Sequence, residues 1–168
     1  MGVLIGAIIS LLLLLRRGAR PHCTELGRVP GTDYFADRIR HPANGRIDGV
    51  FIFRCDGALL YCNTQFVSDR FFDALDARSD GVRLVVFFLG TVPVLDLAGA
   101  DLLLELHATL RGRGIGFRLA ETHSGVRETL RRAGFERHYG AVEADQTVAT
   151  VLHKWAGPTA PGRGGAPV

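Results

Sequence analysis

The chain has 168 residues, 47% of them hydrophobic, and a formal charge of +3. That length gives room for one domain with a real core, and the apolar content excludes a natively disordered polypeptide. The charge is local: Arg16, Arg17, Arg20 and Arg28 against Glu25 give +3 over residues 16–30, while residues 31–156 carry 15 basic and 16 acidic side chains, a balance that argues against a nucleic-acid surface on the domain.

The chain opens on an apolar run. Val3 to Leu15 is thirteen residues without a charge, whereas a helix needs about 20 apolar residues to cross a bilayer. It is too short to span alone. A signal peptide fits poorly, because no basic region precedes the run and no small-x-small cleavage site follows Leu15. Arg16, Arg17 and Arg20 lie just after it, and the positive-inside rule then places everything downstream in the cytosol.

Pro30-Gly31 marks a turn, and Val29 before the proline is biased to an extended backbone. Val50 to Arg54 reads as a strand, Asp56-Gly57 as a two-residue hairpin turn, and Ala58 to Cys62 as the partner strand. Asn63 reads as the N-cap of a helix whose apolar face is Phe66, Val67, Phe71 and Leu75, with Asp69, Arg70, Asp73 and Asp76 turned to water. Leu84 to Leu89 has no polar residue, so it is expected to be a strand buried on both faces. Gly90-Thr91-Val92-Pro93 leads to Asp96, which stands where a Leu-rich helix needs its N-cap, and Asp101 adds negative charge near the positive end of the helix dipole.

Gly112 to Gly114 ends that helix, and Ile115 to Ala120 gives the next strand. Ser124 is expected to cap a helix over Val126 to Ala133 that Gly134 closes. Val148, Val151, Leu152 and Trp155, at i, i+3, i+4 and i+7, make an amphipathic last helix, and residues 157–168 read as a disordered Gly/Pro tail. The pattern specifies an α/β fold: a mixed β-sheet with a hairpin and parallel crossovers, flanked by about four helices. Residues 31–156 contain this whole pattern, so a chain starting at Pro30 is expected to fold.

Three kinds of chemistry find little support in these residues. Cys23, Cys55 and Cys62 lack C-x-x-C spacing; in the expected hairpin, residue 55 faces 58 and 51 faces 62, so Cys55 and Cys62 do not meet and buried reduced thiols are the default. The six His are scattered, and His107, in the middle of the Asp96 helix, fits a surface or boundary position better than a metal ligand. The glycines of residues 111–116 and 163–165 do not precede a Lys-Ser/Thr helix, so neither stretch is a P-loop. An anion at the helix start would be repelled by Asp96 itself. No metal, no cofactor and no enzymatic activity are expected.

Strand, short loop, and Asp96-Leu97-Ala98-Gly99 opening a helix together resemble the signature of STAS domains, the fold shared by anti-sigma-factor antagonists and the cytoplasmic tails of SulP-type anion transporters. Leu26 to Phe35, His41-Pro42 before Ile47-Asp48-Gly49-Val50, and Asn63-Thr64-Gln65-Phe66 are similar to successive segments of bacterial SulP tails. In the antagonists the residue before the signature Gly is a Ser or Thr that a kinase phosphorylates. Here it is Ala98, which has no hydroxyl, so no phosphorylation is expected there.

The resemblance implies that residues 1–15 are the remnant of a last transmembrane helix, 16–30 a basic juxtamembrane linker and 31–156 the STAS domain. It implies a regulatory or interaction domain of a sulfate/anion transporter, in a truncated or split reading frame, at the inner membrane with the domain on the cytoplasmic side. The expected interaction surface is Asp96, Leu97, Ala98, Gly99 and Asp101. Its partners would be a transporter's membrane domain or another STAS domain, with the membrane met through the N-terminal segment. The alternative is a free-standing, antagonist-like protein-binding module without the phosphorylatable Ser.

Overall fold

The computed structural model describes residues 2–156. Helix α1, Gly2–Ala19, is followed by β1, His22–Arg28, and β2, Phe35–Asp37; then come β3, Val50–Asp56, α2, Thr64–Asp76, and β4, Leu84–Phe88. Helix α3, Leu97–Gly112, β5, Gly116–Ala120, α4, Ser124–Arg132, the short α5, Glu136–Tyr139, and α6, Val148–Ala156, complete it. The five strands form one mixed sheet in the order β2-β1-β3-β4-β5, parallel from β3 to β5 and antiparallel at β1. The expected α/β class with a mixed sheet and parallel crossovers is the one observed.

Period-2 alternation assigns the strand residues to two layers. Phe51, Phe53, Cys55, Val85, Phe87, Phe117 and Leu119 face the larger core under α2, α3 and α4, while Val50, Ile52, Leu84, Val86 and Ala120 face α6 through Val148, Val151 and Leu152. Both faces of β3 and β4 are therefore covered, which is why residues 50–53 and 84–88 read as unbroken apolar runs. Aromatic rings fill the larger core: Phe71 from α2 meets Phe53 edge-on at 5.1 Å and Phe51 at 5.8 Å. Truncating any of these rings to Ala is worth about 3–5 kcal/mol.

Four expectations are corrected. There is no hairpin at Asp56-Gly57: Leu59 makes only an isolated parallel bridge to Leu95, outside the five strands, and the antiparallel partner of β3 is β1. Strand β1 lies inside the segment expected to be a linker, where it pairs with both β2 and β3. A long-range antiparallel pairing leaves no local turn signal, whereas Asp-Gly does, and here the local signal misleads.

Asn63 occupies the N-cap position of α2 but makes no capping bond with its side chain. His123, not Ser124, stands at the N-cap of α4. The amphipathic reading of α2 holds, with Val67, Phe71 and Leu75 buried. So does that of α6, where Trp155 lies 5.3 Å under the Arg83 guanidinium. Among the described residues, no helix is long and apolar enough to cross a membrane. The tail at 157–168 lies outside the described residues.

Candidate functional site

The start of α3 is built from two sides. The Asp96 carboxylate accepts from Gly99 N–H at 2.9 Å, capping the helix, and its other oxygen accepts from Tyr61 N–H at 2.9 Å. One side chain thus satisfies a free donor of the helix and fastens the loop after β3. The backbone repeats the tie: Asp96 N–H donates to Leu59 O at 3.1 Å and Leu59 N–H to Val94 O at 3.0 Å.

Gly99 is required by this closeness. A Cβ there would stand 2.6 Å from Leu59 O and 3.0 Å from Leu95 Cγ. The Asp-x-x-Gly spacing therefore has a packing cause: the carboxylate pins the loop that the glycine lets the helix approach. Asp96, Leu97, Ala98, Gly99 and Asp101 all come together at this helix start, but they divide. Gly99 is buried, Asp96 and Ala98 are half-buried, and Leu97 and Asp101 are exposed.

Two further residues at this place carry no sequence signal of their own. Tyr61 is 82% exposed and Val94 55%, beside Leu97 at 63%. The expected hairpin puts Tyr61 in a strand, which hides its position beside Asp96. Asn63 is also more than a cap. Buried, it accepts from Leu60 N–H at 3.0 Å and donates from Nδ2 to Ala58 O at 2.9 Å and to Gly18 O at 3.0 Å. The last bond ties the end of α1 to the loop that carries Tyr61.

The other chemistry-bearing residues are placed as follows. Cys23 and Cys55 are buried and face each other across β1 and β3, and Cys62 is exposed. His107 is half-buried against Phe117 and Tyr139, and burial, joined by Arg111 and Arg118, lowers its pKa. Among the described residues no group of three or more His, Cys, Asp or Glu could hold a metal.

The STAS domain model matches residues 41–151. The chain belongs to the STAS domain family. It is 32% identical over 151 residues to the "Probable sulfate transporter Rv1739c" of Mycobacterium tuberculosis, covering 90% of this chain and 27% of that protein. The STAS chain thus spans about a quarter of the length of this curated relative.

Among solved structures, the murine Slc26a9 anion transporter in the inward-facing state superposes with a TM-score of 0.80 at 19% identity, covering 93% of this chain and 26% of that one. The unphosphorylated anti-sigma factor antagonist SpoIIAA superposes at 0.55 with 16% identity, over 69% of this chain and 96% of that one. Both likenesses establish the fold. The STAS domain here is related in sequence to those of sulfate transporters and shares its fold with the antagonist.

Proposed function

We propose that this STAS domain is the regulatory or interaction domain of a SulP-type anion transporter, and that it engages the transporter's membrane domain through the start of α3. The sequence relationship to a sulfate transporter carries the reading. It covers 90% of this chain, more than the residues 41–151 matched as the domain itself, so the likeness takes in residues ahead of the domain's own pattern. The geometry supports the choice of surface. Tyr61, Val94 and Leu97 are exposed apolar groups flanking the Asp96 cap, at the end of the sheet where Asn63 holds the last turn of α1. Exposed apolar side chains gathered at one place favour a protein contact.

The antagonist reading loses its switch at Ala98. A phosphate there would add about −1.5 to −2 charges between Asp96 and Asp101, and Ala offers no oxygen to receive it. Engagement at this surface is therefore constitutive, with any regulation coming from elsewhere, and no catalytic role is assigned.

The test is a pull-down of the membrane domain of a SulP-type transporter by wild type, Ala98→Glu and Leu97→Asp, with thermal melts alongside. Both substitutions are expected to weaken capture about tenfold or more, with Leu97→Asp melting as wild type because its side chain is solvent-facing. Unchanged capture with intact melts would remove this helix end as the interaction surface. A collapsed melt confined to Ala98→Glu would assign Ala98 to packing and leave Leu97→Asp to decide.

A further inference from the structure

Cys23 and Cys55 are 32 residues apart in sequence and directly opposed in space. They form a cross-strand pair in the β1–β3 register, their side chains lie in the same core layer, and the two Sγ atoms are 3.3 Å apart. Directly opposed residues on antiparallel strands hold their Cβ atoms about 4.5–5.5 Å apart, and a disulfide takes about 3.5–4.5 Å. A small approach of the two strands is enough to close the bond. We propose that Cys23 and Cys55 are a redox modification site, at which a hydroperoxide oxidises the two thiols to a reversible intramolecular disulfide.

The roles of the two sulfurs differ. Cys23 is 7% exposed and Cys55 wholly buried, so the oxidant reaches Cys23 first. As a thiol, Cys23 donates to Cys55 Sγ at 3.3 Å and to Pro21 O at 3.7 Å; as a thiolate it accepts from Cys55 instead, and that bond lowers its pKa against the opposing effect of burial, with help from the Arg70 charge. The same bond and burial raise that of Cys55, which stays a thiol.

The Cys23 thiolate attacks one peroxide oxygen, the O–O bond breaks, and the alkoxide or hydroxide leaves with a proton as alcohol or water. The Cys55 sulfur then attacks the resulting sulfenic acid, the S–O bond breaks, and the hydroxide departs with the Cys55 proton as water. Two thiols and one hydroperoxide thus give one disulfide, one alcohol and one water, two electrons passing from the sulfurs to the peroxide. A dithiol reductant reverses the step.

The bond would lock the first residues of β1 to the end of β3. That end is already linked to the loop before α3: Thr91 donates from Oγ1 to Cys55 O at 2.9 Å, and Gly57 N–H donates to Thr91 O at 3.2 Å. The pair therefore sits where the chain passes from α1 into the sheet. Closing a loop of this length stabilises a fold mainly by restricting the unfolded chain.

The experiment uses the full chain in detergent, treated with dilute hydrogen peroxide and compared with the same protein held in dithiothreitol. Free thiols counted after denaturation are expected to fall from three to one, and a non-reducing proteolytic map should contain the Cys23 peptide joined to the Cys55 peptide, about 2 Da lighter than the pair apart. Dithiothreitol should restore all three thiols. In Cys62→Ser, where the exposed thiol is absent, oxidation should leave none free and raise the melting temperature by about 10 °C. The proposal is overturned if only Cys62 reacts, if Cys23 advances to sulfinic acid without joining Cys55, or if the only disulfides join separate molecules. The cross-link is read by mass on the wild-type protein, so the outcome does not depend on any variant folding.

Discussion

Asp37, at the end of β2, is 5% exposed at its side chain and accepts from four partners: His22 Nε2 at 3.1 Å, Thr24 Oγ1 at 2.8 Å, and the backbone N–H groups of Ile39 and Arg40 at 2.7 and 3.4 Å. Burial alone would raise its pKa. The hydrogen bonds outweigh it and hold the carboxyl down at about 2, from an ordinary 3.8. Because the folded value is the lower one, the charged form stabilises the fold above about pH 4, and that contribution is lost as the pH falls towards 2. It amounts to about 2 kcal/mol. Wild type is expected to lose this much more stability than Asp37→Asn between pH 6 and pH 2, read from urea midpoints at each pH; equal losses would assign the acid sensitivity to other groups. Gly99 offers a second measurement at this scale. Its added Cβ would meet a backbone oxygen, which cannot swing away, so Gly99→Ala is expected to cost about 1–3 kcal/mol in urea unfolding. An unchanged midpoint would mean that the loop after β3 gives way freely and that the glycine has no packing role.

At the level of elements, β1 marks the boundary between what the sequence makes legible and what it hides. Helix α2, strand β4 and the Asp96-capped α3 are legible because each is specified by neighbours in sequence: an apolar period, an unbroken apolar run, a cap. The helix start that carries the proposed surface is legible for the same reason, since Asp96 caps it and the other four residues lie in its first turns. Strand β1 has no such signal. Its burial alternates irregularly, Cys23 and Leu26 in different core layers with Thr24 and Glu25 between them, and its pairing with β3 spans about thirty residues. Glu25 also sits deep in an ionic cluster, accepting from Arg38 at 3.2 Å and Arg46 at 3.1 Å, and from the buried Arg78, which in turn pairs with Asp80. A half-buried charge with three partners looks like a surface residue in a sequence. The consequence reverses an expectation: a chain starting at Pro30 lacks the strand between β2 and β3, so both lose their neighbour in the sheet, and the buried Arg78 is left with Asp80 but without Glu25. Such a chain is expected to be unfolded or aggregated by circular dichroism and gel filtration, while one starting at Gly18 keeps β1 and the Gly18–Asn63 bond. Native melting from Pro30 onward would show that β1 is dispensable.

For the whole molecule, the folded domain and α1 present opposite surfaces to solvent. The domain buries most of its large apolar side chains in two layers around one sheet, whereas α1 leaves Val3, Leu4, Ile5, Ile8, Ile9, Leu11 and Leu13 more than half exposed. An exposed apolar stretch of this size is unstable in water and is expected to be covered by lipid or by other apolar helices. With arginines at its C-terminal end, α1 would sit with the domain on the side of the positive charge. The full chain is therefore expected to sediment with membranes and to need detergent for extraction, and the chain starting at Gly18 to stay in the supernatant. Recovery of the full chain in the soluble fraction without detergent would remove the membrane contact and favour a free-standing module. Membrane attachment does not make a conduit: an ion's lost hydration has to be replaced by several surrounding polar groups, and one short apolar helix offers none. Vesicles containing only this chain are expected to take up labelled sulfate no faster than protein-free vesicles. Uptake above that control, abolished by removing residues 1–17, would mean that α1 assembles a path of its own and would overturn the assignment of transport to a separate membrane domain.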